Sequence, residues 1–466
     1  MAKESVHGSW SSRWAFVLAA TGSAVGLGNI WKFPYITGEN GGGAFVIVYL
    51  ICIAAIGVPI MMAEIMLGRR GRQSPVNTMY NLAIESGHHP GWRYLGIMGV
   101  VAGFLILSYY SVIAGWSLYY IALTALGEFS GLTADGVSSK FSRFIADPVY
   151  LLFFHTLFML MTMYVVSYGV RSGLEKAVKI MMPALFLILL VLLGYAMNTN
   201  SFGTAMDFLF DFNFDKLSIG GVLTAMGHAF FTLSLGMGAI MVYGSYLKKQ
   251  ASIARTTFMI AGADTLIAIL AGMVIFPLVF ANNLAPGSGP GLIFITLPLA
   301  FGQMSGGVIF GTLFFILLTF AAWTSAISLM EPAVTWLVEN KGIRRIQATI
   351  ITGVIIWLLG ILTVVSFNIA AFRLPFTISG KTYENGFFDL FDLLTTNIML
   401  PLGGMFIAIF AGWYMSKDAS RDELDMGHGL AYRAWLFLVR YISPFAILIV
   451  FLQLMGILDT ITNMFR

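Results

Sequence analysis

The sequence predicts an all-α integral membrane protein, an inverted repeat of five plus five helices followed by an eleventh transmembrane helix. Of the 466 residues, 58% are hydrophobic and only 10% are charged, whereas soluble domains carry about 25% charged residues. Apolar segments long enough to cross a bilayer recur about eleven times. The first and sixth segments are interrupted near their middles by glycine and polar residues, which is typical of corresponding helices in an inverted repeat.

Composition and charge exclude several classes of protein. The mean hydropathy of +0.85 leaves little room for a soluble domain, so we expect 1–466 to form one polytopic domain in the lipid bilayer. The formal net charge of +4 fits basic cytoplasmic loops and predicts no nucleic-acid partner. The only cysteine, Cys52, excludes a disulfide framework. The first apolar segment is too long for the core of a signal peptide, and we expect it to be retained.

The apolar segments divide into two repeats and one further span. The first repeat covers 14–197, the second covers 219–415, and the last span covers 432–461. We place the individual spans near 14–36, 41–68, 94–125, 149–168, 174–197, 219–247, 255–282, 306–338, 346–366, 386–415 and 432–461.

Basic residues orient these spans. Arg69 and Arg70 follow the second span, and Lys248 and Lys249 follow the sixth. Since cytoplasmic loops carry an excess of lysine and arginine, the N-terminus is expected in the cytoplasm and the C-terminus outside. The location expected for such a multi-pass chain is the plasma membrane, which is the inner membrane in bacteria.

The interruption of the first span lies between Thr21 and Asn29. Gly22, Gly26 and Gly28 fall within this stretch, and each glycine weakens a helix by about 1 kcal/mol relative to alanine. Backbone that is not helical is tolerated at membrane depth only where it lines a cavity or is buried in protein. The stretch therefore predicts a broken helix, which is the usual site of ion and substrate binding in a secondary transporter.

The sixth span carries a second interruption, from Phe231 to Gly238. Small and hydroxyl residues again divide an apolar run near its middle. The alternative is that these glycines only allow neighbouring helices to approach closely. Two interruptions five spans apart, each beside polar residues, favour the inverted repeat.

Five polar residues fall inside apolar spans and need partners there. Asp264 has no lysine or arginine at its own level of the span, so its carboxylate should take up a proton or bind a cation. Na⁺, a hard cation, prefers several oxygen ligands. Hydroxyls of Thr and Ser can instead bond to their own helix, and that alternative stays open for two of the five. The residues are Asn29, Thr232, Asp264, Thr324 and Ser325.

The sequence resembles the neurotransmitter:sodium symporter family over nearly the whole chain. This resemblance implies the leucine-transporter-like fold. The resemblance is carried, in order, by Gly22-Ser-Ala-Val-Gly-Leu-Gly-Asn-Ile-Trp-Lys-Phe-Pro34, Glu39-Asn-Gly-Gly-Gly-Ala-Phe45, Phe230-Phe-Thr-Leu-Ser-Leu-Gly236, Gly289-Pro-Gly-Leu-Ile-Phe-Ile-Thr-Leu-Pro298 and Thr324-Ser-Ala-Ile-Ser-Leu-Met-Glu-Pro332.

The resemblance implies two Na⁺ sites. The first would use Ala24, Asn29, Thr232 and Asp264, together with the substrate carboxylate. The second would use Gly22, Val25, Ala321, Thr324 and Ser325. Some relatives carry asparagine in place of Asp264 and need chloride to balance charge. A fixed carboxylate there implies that chloride is not required.

The resemblance also implies a substrate pocket for a neutral amino acid. Gly26 stands where monoamine transporters carry an aspartate, and it leaves room for a substrate that brings its own carboxylate. Met237 replaces a phenylalanine, and its flexible thioether favours aromatic or mixed hydrophobic side chains. The residues implied are Ser23, Ala24, Leu27, Gly28, Ile106, Tyr110, Phe231, Thr232, Ser234, Met237, Ser325 and Leu329.

Two gates follow from the same resemblance. The outer gate would pair Lys32 with Asp392, and lysine lacks the bidentate fork of the more common arginine. The inner gate would consist of Trp10, Tyr246, Glu339 and His7, where His7 replaces an expected arginine.

The sequence thus predicts a sodium-coupled symporter that imports neutral hydrophobic or aromatic amino acids by alternating access. It would act as a monomer or weak dimer, independently of chloride, and would not be an enzyme. A proton-coupled transporter with Asp264 as the proton carrier is the closest alternative. A sensor that binds amino acids on the same fold without transporting them is the other.

Overall fold

The chain folds almost entirely into helices, as predicted. The structure, a computed structural model, describes residues 7–284, 290–369, 375–378, 381–384 and 386–458. Two parts of the sequence predictions lie outside the described residues: Gly289 of the fourth motif and positions 459–461 of the last predicted span.

The helices are numbered here in chain order, with short π or 3₁₀ turns included where they continue a helix. They are α1 (Arg13–Ala24), α2 (Gly28–Glu39), α3 (Gly43–Gly71), α4 (Pro75–Glu85), α5 (Pro90–Ala125), α6 (Ala134–Ala146), α7 (Pro148–Ser167), α8 (Val170–Ala196), α9 (Phe202–Phe210), α10 (Ile219–Thr232), α11 (Ala239–Ser245), α12 (Ile253–Ala281), α13 (Leu292–Gln303), α14 (Gly307–Lys341), α15 (Arg345–Asn368), α16 (Gly386–Tyr414), α17 (Lys417–Leu424) and α18 (Leu430–Leu454).

Nine of these helices in the described part of the chain are long and apolar enough to cross a membrane. Two further predicted spans, the first and the sixth, are each divided into two shorter helices. In the first, α1 and α2 meet at a bend of 62°. The order of elements therefore follows the predicted spans, while the boundaries of the two repeats stay a prediction.

The break between α1 and α2 has a visible local cause. The backbone N–H of Gly26 donates to the side-chain oxygen Oδ1 of Asn29 at 3.0 Å. In a regular helix this N–H would donate to the carbonyl of Gly22, four residues earlier. The side chain of Asn29 thus takes the donor that the helix would need, and it leaves the Gly22 carbonyl available to other partners.

The break between α10 and α11 depends on left-handed backbone. Ser234, Gly236 and Gly238 have φ values of +55°, +83° and +76°, a region that residues with a Cβ rarely adopt. At Gly236 there is also no room for a side chain, because a Cβ there would lie 2.5 Å from the carbonyl oxygen of Leu400. Position 236 thus requires glycine for two independent reasons, its left-handed backbone and its contact with Leu400.

The two breaks lie side by side at the centre of the helix packing. The segment α1–α2 contacts α12 along its length, and α1 also contacts α14. Helix α14 packs along α5 and α8. The long helices α5, α12 and α14 therefore surround the non-helical backbone and shield it from lipid.

Several short elements were not predicted from the sequence. Helices α4, α6, α9, α13 and α17 lie between the spans, and strands β1 (Phe376–Ile378) and β2 (Lys381–Tyr383) form an antiparallel hairpin. Local caps explain some of them: Thr133 accepts a hydrogen bond from the Gly136 N–H, and Ser416 accepts one from the Ala419 N–H. These helices are too short to cross a bilayer, so a search for hydrophobic runs of spanning length does not find them.

We predict that Gly236→Ala destabilises the protein. Left-handed backbone costs a residue with a Cβ about 1–2 kcal/mol, and the contact with Leu400 adds to this cost. The melting temperature of the purified protein in detergent should fall. Gly194→Ala is the matched control, since Gly194 lies in α8 with no atom within 4 Å of the added Cβ. Equal melting temperatures of the two variants would show that the break does not require glycine at position 236.

Candidate functional site

A cavity of about 330 Å³ lies where the two breaks face α5, α14 and α16. Every residue that the sequence assigned to the substrate lies in its wall. These residues are Ser23, Ala24, Leu27, Gly28, Ile106, Tyr110, Phe231, Thr232, Ser234, Met237, Ser325 and Leu329. One cavity thus brings together residues that are up to about 300 positions apart in the chain.

The cavity wall also contains residues that were not predicted from the sequence. Tyr109 and Ile113 lie on α5 beside Ile106 and Tyr110, at helical spacing, and Ser328 lies one turn after Ser325 on α14. The helical period was the only signal that could have found them. The remaining residues missed are Trp31, His228, Pro290, Phe388 and Thr396.

The cavity requires glycine at position 26. A Cβ on Gly26 would lie 3.2 Å from both the Ser325 hydroxyl oxygen and the Tyr110 phenol oxygen. An aspartate at this position would therefore push its carboxylate into the space between α5 and α14. The wall at this point is formed by backbone and hydroxyl groups.

A first polar cluster joins Asn29, Thr232 and Asp264 beside the cavity. The Asn29 amide nitrogen donates to Asp264 Oδ1 at 2.7 Å and to Thr232 Oγ1 at 3.1 Å. The Thr232 hydroxyl donates to Asp264 Oδ2 at 3.0 Å. Asp264 is fully buried, and within the described ranges its carboxylate accepts hydrogen bonds from neutral groups alone. A buried negative charge without a cationic partner is costly, so this cluster suits a cation.

A second cluster surrounds the hydroxyl of Ser325. Its Oγ lies 3.1 to 3.3 Å from the carbonyl oxygens of Gly22, Ser23, Val25 and Ala321. One hydroxyl proton can serve only one or two of these acceptors. The neighbouring Thr324 hydroxyl donates to the Ala321 carbonyl at 3.1 Å. Several oxygens with few donors between them are the ligand set that a hard cation prefers.

The predicted outer gate residues both lie in the cavity wall. The ammonium nitrogen of Lys32 is 5.5 Å from the centroid of the Phe231 ring. The Asp392 carboxylate accepts hydrogen bonds from the Tyr109 phenol at 3.2 Å and the Thr396 hydroxyl at 3.0 Å. Each charged group of the predicted outer gate thus lies beside an aromatic residue of the cavity wall, Lys32 beside Phe231 and Asp392 beside Tyr109.

The predicted inner gate residues meet at the N-terminal end of the chain. His7 Nε2 is 3.1 Å from Glu339 Oε1. Glu339 also accepts hydrogen bonds from the Ser74 backbone N–H and the Asn77 amide. The Trp10 indole N–H donates to the carbonyl of Tyr243 at 3.0 Å, and its ring is 6.0 Å from the ring of Tyr246.

An ion pair beside this gate was not predicted from the sequence. Glu331 contacts Arg345 through its Oε2, and its Oε1 accepts a hydrogen bond from the Tyr246 phenol at 2.7 Å. Glu331 lies in α14 and Arg345 begins α15, so the pair spans the turn between two helices. The positions of the two charges in the sequence could not have identified this pair, because the turn between α14 and α15 brings the two residues together.

Comparison with known proteins identifies the family to which the chain belongs. The model of the sodium:neurotransmitter symporter family matches residues 7–129 and 140–463. The chain belongs to this family. It is therefore a multi-pass membrane protein of a transporter family, and the predicted fold class is confirmed.

Individual relatives agree with this assignment. The chain is 37% identical over 453 residues to the uncharacterized sodium-dependent transporter YhdH of Bacillus subtilis (strain 168), covering 97% of this chain and 98% of the relative. It is 32% identical to an uncharacterized sodium-dependent transporter of Haemophilus influenzae, covering 95% and 97%. The crystal structure of MhsT in complex with L-phenylalanine superposes with a TM-score of 0.85 at 44% identity, covering 96% and 99%.

We predict that Asp264→Asn and Asp264→Ala both weaken sodium binding by at least about tenfold, since a hydrogen-bonded charged partner contributes about 1.5–3 kcal/mol. Asparagine keeps the shape of the cluster and removes only its charge. Because an ion that binds the folded state raises its stability, the measurement is the melting temperature during titration with Na⁺ against K⁺. A sodium titration unchanged in both variants would refute the assignment of Asp264.

Proposed function

We propose that the chain is a sodium-coupled symporter that imports neutral hydrophobic or aromatic amino acids. The observation that carries the proposal is a single cavity bordered by two helix breaks, with a cluster of oxygen ligands on each side. No covalent step is required of these residues. Transport then requires only that the outward-open and inward-open conformations bind Na⁺ and the substrate with different affinities.

The two oxygen clusters suit two sodium ions. The first would be held by the Ala24 carbonyl, Asn29, Thr232 and Asp264, and would be completed by the substrate carboxylate. The second would be held by the carbonyls of Gly22, Val25 and Ala321 with the hydroxyls of Thr324 and Ser325. The fit of the second set is supported by the crowding of carbonyl oxygens around one hydroxyl.

The cavity suits an amino acid with an uncharged side chain. The backbone N–H groups of Leu27 and Gly28 lie at the start of α2, and the Leu27 N–H donates to the Tyr110 phenol oxygen at 3.5 Å. These donors, at the positive end of a helix, suit a carboxylate. Ile106, Met237 and Leu329 supply an apolar wall for the side chain. The relative MhsT binds L-phenylalanine in its crystal structure, which agrees with such a pocket.

Chloride independence is part of the proposal. Asp264 supplies a fixed negative charge beside the first sodium site, so no anion is needed there to balance charge. Ala268, one helical turn later, offers no hydroxyl to a halide. The cytoplasmic N-terminus, the external C-terminus, the bacterial inner membrane and the monomer or weak dimer remain predictions of the sequence.

Uptake into proteoliposomes tests the proposal directly. Labelled tryptophan, tyrosine and leucine should accumulate when an inward Na⁺ gradient is imposed, and not with K⁺ or choline. Accumulation should persist when chloride is replaced by gluconate, because Asp264 already balances the charge. Na⁺-dependent binding without accumulation would identify a sensor instead. Uptake driven equally by a pH gradient alone would make Asp264 a proton carrier, and loss with gluconate would refute chloride independence.

We predict that Met237→Phe shifts the preference toward smaller aliphatic side chains. Met237 lines the cavity and is buried, and a rigid ring would occupy space that the thioether can vacate. The ratio of leucine to tryptophan uptake should rise by about tenfold, since mispacking of this kind costs about 1–3 kcal/mol. An unchanged ratio, with normal total uptake of leucine, would contradict the placement of Met237.

A further inference from the structure

A pair of serine hydroxyls forms part of the cavity wall, where Ser23 of α1 meets Ser328 of α14. Ser23 Oγ donates to Ser328 Oγ at 2.7 Å, and Ser328 Oγ donates to the carbonyl oxygen of Ser325 at 2.8 Å. Both residues are almost fully buried, with 2% and 1% of their surface exposed. The two protons are therefore directed toward protein acceptors.

This chain of hydrogen bonds gives the cavity wall a definite polarity. A hydroxyl has one proton to donate and two lone pairs that accept. Once its proton is given away, Ser23 Oγ keeps both lone pairs, and Ser328 Oγ keeps one. Ser234 behaves in the same way, because its hydroxyl donates to the Ser23 carbonyl at 2.8 Å. The hydroxyls of Ser23, Ser328 and Ser234 thus act as hydrogen-bond acceptors toward a ligand in the cavity.

The surroundings make those acceptors selective. Leu329 follows Ser328 on α14, and Ile106 and Met237 line the same cavity. A hydrogen-bond acceptor that is buried beside apolar groups loses free energy when no donor reaches it. A hydrocarbon side chain fills the space and leaves the lone pairs unpaired, whereas a side chain with an N–H or O–H group can satisfy them.

We propose that the Ser23–Ser328 pair selects amino acids whose side chain carries a hydrogen-bond donor, such as the indole N–H of tryptophan or the phenol O–H of tyrosine. This inference rests on the proposed function and narrows its substrate class. Phenylalanine and leucine enter the same pocket with lower affinity. One neutral hydrogen bond changes affinity by about three- to tenfold, and that is the size of the preference.

Matched ligand pairs separate the hydrogen bond from size and shape. In 3-benzothienyl-L-alanine a sulfur atom replaces the indole N–H of tryptophan and little else changes. Competition against labelled leucine, with purified full-length protein in detergent and saturating Na⁺, gives the affinity ratio of tryptophan to this analogue. Tyrosine against phenylalanine gives a second ratio. Both ratios should be about three to ten.

Three variants assign the preference to the serine pair. Ser328→Ala and Ser23→Ala should each bring the tryptophan ratio close to one, and either variant serves if the other fails to fold. Ser117→Ala is the matched control, because Ser117 of α5 is a buried serine whose hydroxyl contacts Thr319 of α14 at 2.8 Å. Neither residue of that control pair is among the residues of the cavity wall. Its tryptophan ratio should match that of the unmodified protein.

The outcomes distinguish this inference from the proposed function. Equal affinities for tryptophan and its sulfur analogue in the unmodified protein would overturn the inference, and so would a preference that survives in both Ser328→Ala and Ser23→Ala. Sodium-dependent uptake with equal affinities would leave the transport proposal intact. Discrimination in binding without any accumulation in proteoliposomes would support the serine pair and overturn transport.

Discussion

The structure depends on one constraint: backbone groups that leave a helix at membrane depth must find partners inside the protein. At each break one backbone N–H group has a side-chain acceptor, as Gly26 donates to Asn29 and Gly236 donates to Glu64 at 2.6 Å. The carbonyl groups have fewer hydrogen-bond donors, since those of Gly22 and Val25 share the single hydroxyl of Ser325 with other acceptors. These backbone donors are therefore matched by side-chain acceptors, and the surplus of carbonyl oxygens suits a cation.

Three fully buried carboxylates in the described spans have different partners. Glu331 has an arginine partner in Arg345, and Glu64 accepts a hydrogen bond from the Gly236 backbone. Asp264 has the amide of Asn29 and the hydroxyl of Thr232, which orient it without neutralising it. A negative charge that is held in place but not balanced is what a transported cation requires. Glu331 instead stabilises the turn from α14 to α15, and Glu64 holds the break before α11.

The fold and most residues of the cavity wall could be predicted from the sequence, and individual residues show why. Glycine and polar residues at membrane depth have few explanations, so Gly26, Asn29 and Asp264 could be recognised before their neighbours were known. Ser328 could not, because a serine inside a helix ordinarily bonds to its own backbone, and its importance comes from Ser23 on another helix. The same holds for Arg345 beside Glu331. Pairings across helices depend on packing, which the apolar pattern does not encode.

The residues assigned to the two gates differ in their surroundings. At the inner gate, Trp10 is buried and bonded to the Tyr243 carbonyl, and Glu339 accepts hydrogen bonds from Ser74 and Asn77 at the start of α4. At the outer gate, Lys32 and Asp392 lie in the cavity wall itself. The residues assigned to the inner gate are thus held by contacts with α4 and α11. If the carbonyls of α1 bind a sodium ion as proposed, that ion would hold the segment that follows Trp10, so its binding would favour this arrangement and its release would permit another.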